Sequence, residues 1–423
     1  LPRRSQEPKS LIIAASAGSL LEMYDFCVYA FFAPIIAPHF FPKESKLVAI
    51  LLIFGIFAVG YFARPIGGIL YGLLGDRVGR KKMLINSILF MAIPSLLIGL
   101  LPSYAIIGLL APLSLIILRI LQGLAVGGEF PGAVIFIAEH VQSNNRGLMC
   151  SWINFSITVG IVFASLVGAI LTLVLSHQQL ITWGWRIPFL LGSIIAYIGF
   201  ILRKNQQETP VFKQMLARGL IASSPIKEVL GNDLSRIFVA ICIVGSGAIC
   251  VSLFFLFMPT YLELASDIKL VAALWINAIN LIIFGFSIVL MGHFSDRYGR
   301  RAILSLGTSL LVILTIPLYL LLLTHHLSMI LLALLSFSIL TSMIMGPLAS
   351  TLAELFPAKT RYTSYGISFN IGLALFGGAS PYIALALIHK TGLFIAPSFC
   401  IIAVSLLSFI VIHYSTTVRN NIK

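Results

Sequence analysis

Charge is scarce in this sequence: 10% of its 423 residues are Asp, Glu, Lys or Arg, and only 14 are acidic. Soluble chains longer than roughly 250–300 residues divide into domains with polar surfaces. The composition therefore argues against a soluble enzyme. Cysteine is scarce as well. Cys27, Cys150, Cys242, Cys250 and Cys400 lie within apolar runs, with no CxxC pair and no histidine at metal-ligand spacing. They read as small buried hydrophobes, and neither a disulfide framework nor a metal site is expected. Catalytic signatures are missing too. The chain has no HExxH, GxSxG, GKS or GKT, and His325 and His326 fall in a short loop where a solvated pair is the simpler reading.

What the sequence has in abundance is apolar length. Some 59% of the residues are hydrophobic, and one membrane-crossing helix takes about 20 mainly apolar residues. Runs near 11–37, 47–74, 83–101, 105–138, 147–175, 186–202, 236–262, 270–293, 302–323, 327–353, 362–388 and 392–413 make twelve predicted spans. The first run continues to Pro38, well past the Ala15-Ser16-Ala17 tripeptide, so it reads as a span rather than a cleaved leader. The expected fold is all-α and integral to the membrane.

Basic side chains set the expected orientation. The 28 Lys and Arg give a net charge of +14, which in a soluble domain would suggest a nucleic-acid partner. Here 21 of the 28 fall in segments sharing one side, among them Arg3, Arg4, Arg77, Arg203, Arg419 and Lys423. Five lie on the other side, and Arg64 and Arg119 lie inside spans. That bias predicts both termini in the cytoplasm, and charges scattered over short loops give nucleic acid no single face to bind.

The chain also repeats itself. GLLGDRVGRKK, from Gly72 to Lys82, leaves span two, and GHFSDRYGRR, from Gly292 to Arg301, leaves span eight 220 residues later. Glu139 and Arg146 after span four are echoed by Glu354 and Arg361 after span ten. Two six-helix bundles follow, 1–202 and 236–423, joined by a cytoplasmic linker at 203–235. Parallel repeats of this kind suit a transporter whose site lies near the membrane midplane between the halves.

The duplicated loop resembles the G-x-x-x-D-R-x-G-R-[RK]-[RK] motif of the major facilitator superfamily. LEMYDF (Leu21 to Phe26), ARPIGG (Ala63 to Gly68), RILQGLAVGGEF (Arg119 to Phe130), GWRIPF (Gly184 to Phe189) and ETPVF (Glu208 to Phe212) narrow the likeness to its metabolite:proton symporters. That branch includes proline/betaine, ketoglutarate, shikimate and citrate carriers. The resemblance implies a bacterial cytoplasmic membrane, a carboxylate-bearing substrate, a proton as coupling ion and no cofactor, with a single copy as the working unit. Two departures bear on site shape: Met23 stands where an aromatic residue is usual, and Pro131 where a glycine is usual. The osmosensing members carry a long charged carboxy-terminal extension, whereas this chain stops ten residues after His413, so osmosensing is not expected.

Five charges inside spans stand out: Glu22, Asp25, Arg64, Arg119 and Glu129. Each isolated charge costs roughly 2.5–3.5 kcal/mol or more at the bilayer centre, so such residues normally face a cavity or a partner. Asp25 and Arg119 each lie about 14 residues into their spans from opposite sides, which at 1.5 Å per residue puts both near the midplane. They are expected to pair, and moving the arginine away would favour proton uptake by the acid. The resemblance agrees, since other proton-coupled members use an acid in span one and an arginine in span four. Asp25 is therefore the expected proton site and Arg119 its switchable partner. Glu22, three residues earlier on nearly the same face, could share the proton. Glu129 is expected to pair with Arg64.

Polar and aromatic residues at workable depth are Tyr24, Tyr29 and Gln122 in the first half and Phe255, Asn277, Asn280 and Asn370 in the second. They are candidate substrate contacts, although polar groups also join helices. By resemblance, Gly72, Asp76, Arg77, Gly79, Arg80, Glu139 and Arg146 form a conformational latch with Asp296, Arg297, Arg300, Glu354 and Arg361. The function expected is proton-coupled uptake of a small carboxylate or zwitterion by alternating access. The nearest rival is an exporter or antiporter of a small organic solute. The glycine-proline pattern of drug:proton antiporters is missing, since span five holds Gly160 and Gly168 and no proline between Met149 and Leu175. A membrane enzyme is the remote reading.

Overall fold

The computed structural model describes residues 8–221, 224–266 and 268–415; Arg3, Arg4, Arg419 and Lys423 lie outside them. Among the described residues, twelve helices are long and apolar enough to cross a membrane. They are α1 (Pro8–Phe40), α2 (Lys46–Val78), α3 (Arg80–Leu100), α4 (Leu110–His140), α5 (Arg146–Val174) and α6 (Ile187–Lys204). In the second half come α7 (Leu234–Val251), which opens a span running to Leu256, α8 (Leu270–Tyr298), α9 (Arg300–Leu322), α10 (Leu327–Leu355), α11 (Arg361–Gly372), which opens a span running to Thr391, and α12 (Ala396–Tyr414).

The repeated loops owe their shape to glycine. Gly79 and Gly299 have φ of +119° and +95°, backbone that a residue without Cβ adopts at little cost. Each ends one span and lets Arg80 or Arg300 begin the next. Gly108, at φ +57°, separates a short helix, Tyr104–Ile107, from α4, so the fourth span starts five residues later than the apolar run predicts.

Spans seven and eleven depart from plain α-helix. α7 runs into a π-helical segment, Ser252–Leu256, before a short helix Met258–Ser266. α11 runs into another, Leu373–Gly378, before a helical continuation Ser380–Thr391. The two segments touch, Ser252 Oγ donating to the Gly377 carbonyl at 2.8 Å. A hydropathy run shows how long a span is, but not where i→i+4 bonding gives way to i→i+5.

The chain divides into two compact units. Unit 1 is Leu1–His140 with Ser156–Pro225, and unit 2 is Val141–Phe155 with Ile226–Lys423. In unit 1, α2 and α4 approach backbone to backbone: a Cβ on Gly67 would meet the Leu124 carbonyl, and one on Gly123 or Gly127 the carbonyl of Gly60 or Arg64. Small residues permit this closeness, which van der Waals packing and lipid exclusion then reward. In unit 2 the same device joins α8 and α10, where a Cβ on Gly346 would meet the Ile288 carbonyl.

Candidate functional site

Unit 1 holds a narrow crevice lined by Glu22, Asp25 and Phe26 of α1 and by Arg119 and Gln122 of α4. Met91 and Val126 form its apolar wall. It holds no space wide enough for a water molecule, so the side chains must part before a solute enters.

Asp25 and Arg119 are buried in this crevice, but the expected direct ion pair is not formed. Asp25 Oδ2 instead accepts from the Ser95 hydroxyl and from Gln122 Nε2 at 3.4 Å, while Gln122 also donates to Ser95 Oγ at 2.7 Å. The Arg119 guanidinium lies 3.6 Å from the centre of the Tyr29 ring, a cation–π contact that takes the place of a counter-ion. Tyr29 is fixed by its own hydroxyl, which donates to the Ile53 carbonyl at 3.2 Å. Tyr24 donates to the Pro188 carbonyl at 2.8 Å.

The expected pairing of Glu129 with Arg64 is also overturned. Arg64 Nη2 meets Glu22 Oε1 at 2.5 Å and sits over the rings of Tyr61 and Phe26, 5.0 and 5.5 Å from their centres. Glu129 pairs with Arg203 of α6. The reason is geometric: a carbonyl of Arg64 faces Gly127 where α2 and α4 touch, while its side chain turns toward α1.

Arg203, which the sequence places among the basic residues of the expected cytoplasmic side, lies in the last turn of α6 and is fully buried. Its Nε donates to Ala14 O at 2.9 Å, Nη1 to Leu84 O at 2.6 Å and Glu129 Oε2 at 2.9 Å, and Nη2 to Ala15 O at 2.9 Å and to Glu129 Oε1. Ser87 Oγ completes the cluster, donating to Glu129 Oε2 at 2.5 Å. Gly18 leaves room for it, since a Cβ there would collide with both partners. Counting charges in the spans could have found Arg203, because three acids faced two arginines. Ser87 and Ser95, two turns apart in α3, give no signal beyond being small and polar.

In unit 2 the candidate contacts Asn277, Asn280 and Phe255 lie where helices meet. Asn277 Nδ2 donates to the Phe255 carbonyl at 2.9 Å, within the π-helical segment, and Phe255 stacks on Phe284 at 4.3 Å. Asn280 accepts from Ser338 at 2.6 Å. Asn370 donates to the Gly366 carbonyl of its own helix at 2.8 Å.

Residues expected to form a latch gather around Arg80 and Arg300. Arg80 meets Asp76 and Glu139, each at 3.2 Å, and Thr209 donates to Glu139 at 2.6 Å. Glu208 accepts the Arg80 and Lys81 amides at 3.1 Å. In unit 2, Arg300 meets Asp296 at 2.7 Å and Glu354 at 3.2 Å, and Arg146 meets Glu354 at 3.1 Å. Asp296 also accepts the Gly147 and Leu148 amides at 2.8 Å, where the amino end of α5 favours negative charge. Arg77 and Arg297 are exposed, and Arg361 Nε donates to the Phe356 carbonyl at 3.2 Å. Gly72 is a buried helical residue of α2.

Twelve apolar spans, a sequence duplicated between halves and a crevice of buried acids and arginines define a polytopic membrane protein of the secondary-transporter class. The profile of the Major Facilitator Superfamily matches residues 17–381, and the chain belongs to that superfamily. A Staphylococcus aureus (strain COL) protein provisionally named a proline/betaine transporter is 33% identical over 97% of this chain and 90% of its own length. The proline/betaine transporter of Salmonella typhimurium is 32% identical over 95% of this chain and 82% of its own. The solved proton:xylose symporter XylE shares the fold with a TM-score of 0.76 and 19% identity, covering 96% of this chain and 95% of that one.

Proposed function

We propose that the protein takes up a small carboxylate or zwitterion, of the kind its proline/betaine relatives are named for, together with protons, by alternating access. The observation that carries this is an acid and an arginine sharing one crevice without touching: Asp25 held by Ser95 and Gln122, Arg119 by the face of Tyr29. A proton on Asp25 leaves Arg119 as an uncompensated buried cation, which favours an arriving carboxylate. An ionised Asp25 offsets Arg119 and disfavours it. Proton and carboxylate thus strengthen each other's binding, and such reciprocal coupling is what symport requires. Glu22, committed to Arg64, leaves Asp25 as the proton site.

The same reading places both termini in the bacterial cytoplasm and treats 1–202 and 236–423 as the moving halves, with 203–235 as linker. It takes a single copy as the working unit, with the proton as coupling ion and no cofactor or catalytic chemistry. The clusters around Arg80 and Arg300 are the latch that each cycle must open.

The test is external pH around proteoliposomes holding the purified protein, on addition of proline, glycine betaine and a panel of carboxylates. Alkalinisation with one of them is expected. Acidification would favour an antiporter, and silence across the panel with folded protein would overturn the reading.

A further inference from the structure

The buried Arg203–Glu129 pair of unit 1 is complete. A guanidinium has five N–H groups, and Arg203 places all five, on Glu129 and three backbone carbonyls. The crevice residues are the opposite. Glu22 Oε2, Asp25 Oδ1, Gln122 Oε1 and both Nε and Nη2 of Arg119 are buried without a hydrogen-bond partner, and all four residues line one space. Buried polar atoms are rarely left so. Five of them around one crevice are the counterpart of a polar ligand.

The pattern of open atoms describes that ligand. Nε and Nη2 form one edge of the guanidinium, the edge that grips a carboxylate through two parallel bonds. Glu22 gives Arg64 one oxygen, Oε1 at 2.5 Å, and keeps Oε2 open. Beside it the Phe26 ring already carries the Arg64 cation on its face, 5.5 Å from its centre, and lines the crevice. An acceptor oxygen next to an aromatic ring suits a cationic nitrogen. A solute carrying only a carboxylate would have nothing to set against Glu22.

Building on the transport reading above, we infer that the crevice is a zwitterion subsite: Arg119 takes the solute's carboxylate, and Glu22 with Phe26 takes its cationic nitrogen.

The test compares glycine betaine with 3,3-dimethylbutanoate, which has the same shape and carboxylate but carbon in place of the charged nitrogen, by direct binding to the purified full chain in nanodiscs. The wild type should bind betaine at least about tenfold more tightly, as expected for a desolvated cation contact. Glu22→Gln should bring the two affinities within about threefold of each other, mainly by weakening betaine, and Arg119→Gln should weaken both. Because Glu22→Gln leaves Arg64 buried without an anion, E22Q/R64Q removes both charges together and should give the same loss of discrimination. Equal wild-type affinities, or a betaine preference surviving in a folded Glu22 variant, would overturn the subsite. Proton uptake driven by betaine alongside either result would leave the transport reading standing. Its own failure is separate: no pH change with any solute.

Discussion

Arg203 and Arg119 belong to the same unit and are both buried, yet one has every donor bonded and the other keeps two open. The contrast predicts opposite consequences of removal. Arg203→Gln should cost about 3–5 kcal/mol, because it strands Glu129 without a counter-ion, and the E129L/R203L double variant should recover much of that loss. Thermal unfolding in detergent measures both. Asp25→Asn should abolish proton-driven accumulation while sparing solute exchange in proteoliposomes; accumulation at the full rate would remove Asp25 as the proton site. These residues were not equally legible. Glu22, Asp25 and Arg119 stand out because a charge in an apolar run is expensive, whereas the partners they meet in the structure do not. Pairing depends on which way a side chain leaves its helix, and the same-face rule does not say which of two neighbouring helices it meets. Arg203 was hidden by its position at the last turn of a span, where a basic residue ordinarily reads as a cytoplasmic anchor.

Helices α2 and α4 are held close by glycines that have a neighbouring carbonyl where a side chain would be. Gly123→Leu should therefore force the pair apart and cost about 1–3 kcal/mol or more. Gly55→Ala, on α2 where a Cβ would meet nothing within 4 Å, should be neutral or stabilise by up to about 1 kcal/mol. Unfolding of the two variants side by side separates close approach from helix propensity. The spans themselves were legible from hydropathy, and the breaks at Gly79 and Gly299 from the repeated motif. The π-helical segments at Ser252–Leu256 and Leu373–Gly378 were not. A change of hydrogen-bond partner from i+4 to i+5 leaves composition and span length untouched, and here it is settled by contacts distant in sequence, such as Ser252 with Gly377.

For the molecule as a whole, twelve spans and their duplication followed from apolar length and two echoed loop motifs. The pairings expected of a latch did not, because the motif alone does not say that Arg80 gathers Asp76 and Glu139, or Arg300 gathers Asp296 and Glu354. Asp76→Asn should slow turnover more than it weakens solute binding; unchanged turnover with weakened affinity would contradict a latch. The Arg203 cluster has a mechanical corollary. It acts as a rivet through α1, α3, α4 and α6, all bonded to one guanidinium or to the carboxylate it holds. Helices riveted at one level cannot slide past each other there, but they can splay beyond it. Widening the crevice, about two to three turns further along α1, is then a fanning motion about a fixed point. Spin-label distances between α1 and α3 should stay constant near residues 14 and 84 and grow with distance from them.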